Sequence, residues 1–159
     1  MSSQTPSYVR NIIRRSLRAV VDPSPSKKDE RKIWEFFNSE CAYCGKKLRK
    51  EHKKEGHIDH LVTSSLGGSN YISNRVLSCA SCNEEEKLDM PWEKFLIQKN
   101  PNQNLLTKRK EKILHWQKLH KKVSLNKTTI DKIEKIGNEV VAFYDKKIKM
   151  ARNLKDKNL

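Results

Sequence analysis

Four cysteines constrain this chain more than any other feature. They are the only cysteines in its 159 residues, and they fall in two Cys-x-x-Cys pairs, Cys41/Cys44 and Cys79/Cys82, separated by thirty-four residues. Each pair puts two sulfurs on a tight turn, and four such sulfurs can converge on one tetrahedral zinc ion. Four thiolates fill the coordination sphere and leave no position for water, so the expected zinc is structural. In a secreted chain the same cysteines would form two disulfides. The N-terminus lacks an apolar run of signal-peptide length, and no stretch approaches a membrane span. The expected setting is therefore cytoplasmic, or nuclear in a eukaryote, with reduced thiols and no membrane partner.

A metal staple suits the composition. Apolar residues make up 35% of the chain and charged residues 33%, so the core is lean for its length. The formal net charge of +15 points to a polyanionic partner, with nucleic acid ahead of an anionic membrane surface. The charge is uneven. Residues 107–159 hold sixteen Lys/Arg against six Asp/Glu, whereas residues 39–106 hold ten against nine. This asymmetry predicts a basic arm, with Lys108, Arg109, Lys110 and Lys112 as candidate nucleic-acid contacts, joined to a nearly neutral chemical centre. A solvated face of a helical bundle is the competing reading of the same lysines.

Periodicity predicts mostly helix. Val9, Ile12, Ile13, Leu17 and Val20 recur at helical spacing over residues 6–21. Ser26 with Asp29 has the form of a capping box ahead of a second helix carrying Ile33, Trp34, Phe36 and Phe37. Short strands are expected at 57–62 and 71–78, and a short helix at 80–88. Further helices are expected from Pro91, around 105–122, and from Ile130 to Ala151, with 153–159 frayed. The stripe Ile130, Ile133, Ile136, Val140, Val141, Tyr144 and Ile148 reads as an intramolecular seam or a dimer face. His52, His115 and His120 lie in lysine-rich stretches and read as surface residues.

Between the cysteine pairs lie Asp59-His60, Gly67-Gly68 and Asn74, and Asn83 follows Cys82 directly. This set resembles the HNH endonuclease family in its zinc-stabilised ββα-metal form, over about residues 41–87. The resemblance implies roles residue by residue. His60 matches the general base that activates water, and Asp59 and Asn83 match the ligands of a catalytic divalent metal. Asn74 matches the middle asparagine that orients the loop and the histidine, and Cys41, Cys44, Cys79 and Cys82 match the zinc ligands. It further implies cleavage to 5′-phosphate and 3′-hydroxyl ends. The donor chemistry agrees, since carboxylate and amide oxygens suit Mg²⁺ or Mn²⁺ and neutral imidazole suits a general base. Arg75 and Lys87 are candidates for neutralising the scissile phosphate, or else are surface charges. Two positions depart from the family pattern. Thr63 stands where proline is common, and Lys87 lies four residues after Asn83 rather than three. His57, two residues before Asp59, takes either a supporting hydrogen bond or a direct role.

The expected fold class is α+β, mainly helical: N-terminal helices over 1–38, a zinc-clamped ββα-metal core over 39–90, and a basic helical region over 91–159. The expected function is metal-dependent hydrolysis of DNA, with RNA not excluded as substrate. A homodimer, or a larger defence or mobile-element complex, stays open. The alternative is a non-catalytic zinc-stabilised nucleic-acid-binding or adaptor module, which would have no need of Asp59, His60 and Asn83 together.

Overall fold

The computed structural model describes residues 5–52, 54–121 and 127–156. In chain order the elements are α1 (Pro6–Val21), α2 (Lys27–Phe36), β1 (Gly56–His60), β2 (Arg75–Cys79), α3 (Trp92–Lys99), α4 (Gln103–Leu119) and α5 (Lys127–Asp156). Short 3₁₀ turns occupy Ser64–Leu66 and Ile72–Asn74, and a π-helical turn spans Ser81–Lys87. The described residues are mainly helical around one antiparallel pair of strands, the expected α+β class.

By contact the described residues form two compact units, one drawn from Met1–Pro23 with Leu125–Leu159 and the other from Ser24–Ser124. In the first, α1 and α5 lie antiparallel. Arg10 bonds Asp145 at 2.8 Å and Arg14 bonds Asn138 at 3.4 Å, so rising numbers on one helix meet falling numbers on the other. The α5 stripe is an intramolecular seam along Ile133, Val141, Tyr144 and Ile148, while Ile136 and Val140 stay exposed. Thr5 and Pro6 start α1, with the Thr5 hydroxyl accepting from the Tyr8 amide. The last helix is longer than its apolar stripe, so residues 153–156 are helical rather than frayed; 157–159 lie outside the described residues.

The second unit holds the core. Ser26 and Asp29 form the expected capping box, which starts α2 so that Ile33, Trp34 and the following Phe37 turn inward. They pack with Tyr43, Leu61, Val76, Leu77, Trp92, Phe95, Leu96, Ile113 and Trp116. The strands pair in the register Gly56↔Cys79, Asp59↔Val76 and His60↔Arg75. β2 is buried along its whole length, whereas in β1 only Asp59 is. The strands are shorter than expected, because Ile72–Asn74 turns as 3₁₀ helix before β2 begins. α4 is part of this core. The Trp116 indole N–H donates to the carbonyls of Ile72 at 3.0 Å and Arg75 at 2.8 Å, fixing the entry to β2.

Candidate active site and metal centre

The first knuckle is a tight hairpin. Cys41 and Gly45 amides bond the Lys46 and Cys41 carbonyls at 2.9 Å each, and the Ala42 amide bonds Leu77 on β2 at 2.8 Å. This brings Cys41 and Cys44 against Cys79 and Cys82, with all four sulfurs within 4.8 Å of one another. Cys44 and Cys79 sulfurs are 3.8 Å apart, which matches the edge of about 3.8 Å for a tetrahedron with Zn–S bonds of about 2.3 Å. Hydrogen bonds from Cys44 and Cys82 hold the Cys41 thiol far below its ordinary range. Donation to Cys41 in turn pushes the Cys44 thiol up to about 11 and the Cys82 thiol higher still. Four such sulfurs cannot all ionise together unless a cation compensates them, and the donor set fits structural zinc.

Asp59 and His60 leave β1 on opposite sides, as alternation requires. Asp59 turns into the core, where its Oδ2 accepts from the Tyr43 hydroxyl at 2.9 Å and stands 3.3 Å from the Lys87 ammonium. Burial raises the Asp59 carboxyl above its usual range, against the lowering pull of Lys87 and Tyr43. The Lys87 ammonium also donates to the His60 carbonyl at 2.7 Å, and the side chain is 1% exposed. Lys87 is therefore turned into the fold, away from the solvent that a phosphate contact would need. Its position follows from the π-helical turn, whose i→i+5 closure accommodates one more residue than an α-turn. The lysine one place late in sequence still reaches the carboxylate. Leu88 then ends the turn at φ 45°, a left-handed conformation costly for a branched residue.

His60 lies on the other side, over its cross-strand partner Arg75. Arg75 NH1 donates to His60 Nδ1 at 3.0 Å, and His60 Nε2 is 3.0 Å from Asn70 Oδ1. A guanidinium only donates, so Nδ1 is the acceptor and Nε2 carries the proton toward Asn70. Arg75 NH2 bonds the same Asn70 oxygen, closing a triangle. Arg75 is 8% exposed, so it faces the histidine rather than open solvent.

Asn74 clamps the intervening loop. Its Oδ1 accepts from the Val62 amide at 2.9 Å, and its Nδ2 donates to the Val62 and Ser69 carbonyls at 2.9 and 2.8 Å. The double glycine is needed there. Gly67 has φ +80°, and a Cβ on Gly68 would meet the Val62 carbonyl oxygen at 1.8 Å. Asn83 is half-buried on the π-helical turn directly after zinc ligand Cys82. His57 Nε2 stands 3.5 Å from the Glu84 carboxylate.

The α4 candidates divide. Lys108 and Lys110 are exposed. Arg109 instead bonds Asn100 and lies over Gly45 of the knuckle, and Lys112 stands 5.7 Å over the Phe37 ring, where burial lowers its pKa. Sequence reasoning passed over Tyr43, Asn70, Asn100 and Trp116. The first of these lies inside the Cys41–Cys44 turn, which was a signal; Asn100 and Trp116 act through contacts far along the chain, and Asn70 through His60 and Arg75, with none.

Residues 41–87 match the family model described as HNH endonuclease. A relative from Bacillus subtilis (strain 168), named "SPbeta prophage-derived putative HNH endonuclease YoqL", is 32% identical over 97 residues. The match takes in 54% of this chain and 38% of the relative, so the chain spans well under half of that protein's length. Among the described residues no helix is long and apolar enough to cross a membrane.

Proposed function

We propose that this protein is a metal-dependent endonuclease that hydrolyses DNA phosphodiester bonds. The observation that carries the reading is the arrangement of Asp59, His60 and Asn74 around one strand end, braced by the cysteine cluster. His60 Nδ1 is the basic nitrogen of the tautomer its neighbours select. Released from the Arg75 guanidinium, Nδ1 would accept a proton from the attacking water. Asp59 and Asn83 would hold Mg²⁺ or Mn²⁺ through hard oxygen donors, and the Lys87 ammonium that stands 3.3 Å from Asp59 Oδ2 would have to give way to the ion. Bound there, the cation would neutralise charge developing on the leaving 3′ oxygen. Asn74 keeps the loop beside His60 in place.

The test is incubation of purified protein with plasmid, linear duplex, single-stranded DNA and RNA, each with Mg²⁺, Mn²⁺ or no added divalent ion. The expected outcome is cleavage of DNA that needs the added ion and leaves 5′-phosphate ends. Tight DNA binding without cleavage under every condition would instead identify a non-catalytic binding module.

A further inference from the structure

We propose that α5 carries a second seam, distinct from the one it shares with α1, through which the protein pairs antiparallel with a second copy of itself. The proposal is independent of the nuclease reading and concerns only the unit formed by α1 and α5. Ile136, Val140, Phe143, Lys147, Met150 and Leu154 follow one another at alternating intervals of four and three residues, and all six are exposed. That spacing is the a and d pattern of a heptad, which lines one seam of a helix and packs against a facing helix. Single exposed apolar residues are ordinary, but five on one seam of a 30-residue helix make a continuous apolar edge. Phe143, at its middle, is 62% exposed. The helix α1 meets α5 along a different edge, where Asn138 and Asp145 take Arg14 and Arg10, and Gly137 faces Leu17.

The charges beside the seam identify its occupant. Taking Val140, Lys147 and Leu154 as a positions puts Glu139 and Lys146, both exposed, at successive g positions, and puts Gly137, Tyr144 and Ala151 at e. A parallel pair sets g against e of its partner and would find no ion pair here. An antiparallel pair sets g against g. With Val140 opposite Phe143 of the second copy, Glu139 faces Lys146 and Lys146 faces Glu139, so one two-fold arrangement makes both ion pairs. The same register puts Lys147 across from Ile136, along which its stem can lie with the ammonium at the rim. The two halves of the helix are complementary in the same sense. Residues 128–141 hold two lysines against three acids, and residues 142–154 hold four Lys/Arg against Asp145 alone. Antiparallel pairing lays the basic half on the acidic half, whereas parallel pairing would set basic on basic. An anionic membrane surface, the other taker of a basic amphipathic helix, would be repelled by the acids of the first half.

The test is sedimentation equilibrium of the full zinc-loaded chain, freed of nucleic acid, over a wide range of concentration at low salt. Wild type should sediment at twice the chain mass and dissociate on dilution. Phe143→Ser should raise the dimer dissociation constant about a hundredfold, because the ring is central to the seam and counts once in each copy. Its side chain already faces solvent in the single chain, so the thermal midpoint of the diluted protein should stay as in wild type. Glu139→Lys and Lys146→Glu should each raise the dissociation constant about tenfold, since both ion pairs become like-charge contacts. Mixing these two variants in equal amounts should bring association back near the wild-type strength, because the antiparallel heterodimer regains both pairs. A wild type that stays at the chain mass at every concentration would overturn the proposal, whether or not it then binds anionic vesicles. A dimer indifferent to Phe143→Ser would overturn the seam. Failure of the mixture to recover would overturn the antiparallel register.

Discussion

Asp59 and His60 are neighbours in sequence that work in separate environments. One is buried among Tyr43 and Lys87, and the other faces Asn70 and Arg75. The separation predicts that they fail separately. His60→Ala should abolish cleavage and leave zinc content and DNA affinity near wild type, because the imidazole bonds Asn70 and Arg75 and is not a member of the cysteine cluster. Asp59→Ala leaves the Lys87 ammonium buried without its carboxylate, so it should lower the thermal midpoint as well as activity. Full turnover by His60→Ala would remove the histidine from its role. Asn74→Ala acts through the loop. It strips partners from the Val62 amide and from two carbonyls, and should cost about 2 kcal/mol of stability with cleavage reduced but zinc retained. Denaturant unfolding alongside a cleavage assay reads both effects.

At the scale of elements, what the sequence disclosed was chemistry with fixed spacing. Two Cys-x-x-Cys pairs announce their cluster because zinc geometry dictates the interval within each pair, and Ser26 with Asp29 announces a helix start because a capping box is local. The inward turn of Lys87 was not legible, since it depends on one extra residue being absorbed in a π-helical turn rather than displacing everything after it. Nor was the service of Trp116 to the Ile72 and Arg75 carbonyls, a contact spanning more than forty residues of chain. Within the second unit the contacts join α2, α3 and α4 to the strands. The knuckles bind this unit together in one further way. With so lean a core, metal binding and folding should be coupled. Cys79→Ser, or exhaustive chelation of zinc, should lower the thermal midpoint sharply and loosen the strand pair, read by near-ultraviolet circular dichroism. An unchanged midpoint in metal-free protein would show that the core suffices alone.

Across the whole molecule, the charge of +15 has to be divided between lysines that face solvent and cations committed to the fold. On α4 the division runs within five residues. Lys108 and Lys110 are exposed, whereas Arg109 braces Asn100 and Lys112 stands over Phe37. Lysine contacts with phosphate release counterions, so each lost contact should reduce the slope of log affinity against log salt by about 0.9 on duplex DNA. Such contacts carry little base information, and the affinity they provide should be nearly independent of sequence. The double variant Lys108→Gln/Lys110→Gln should therefore bind duplex DNA more weakly at low salt, converge toward wild type as salt rises, and keep the wild-type thermal midpoint. Arg109→Gln and Lys112→Gln should do the reverse, lowering the midpoint more than the affinity, because their cations hold elements together. Binding isotherms at two salt concentrations, paired with thermal unfolding of the same four proteins, separate the two behaviours. If Lys108→Gln/Lys110→Gln keeps both the affinity and the salt slope of wild type, the exposed face of α4 lies off the DNA path, and the attraction must come from basic residues elsewhere on the chain.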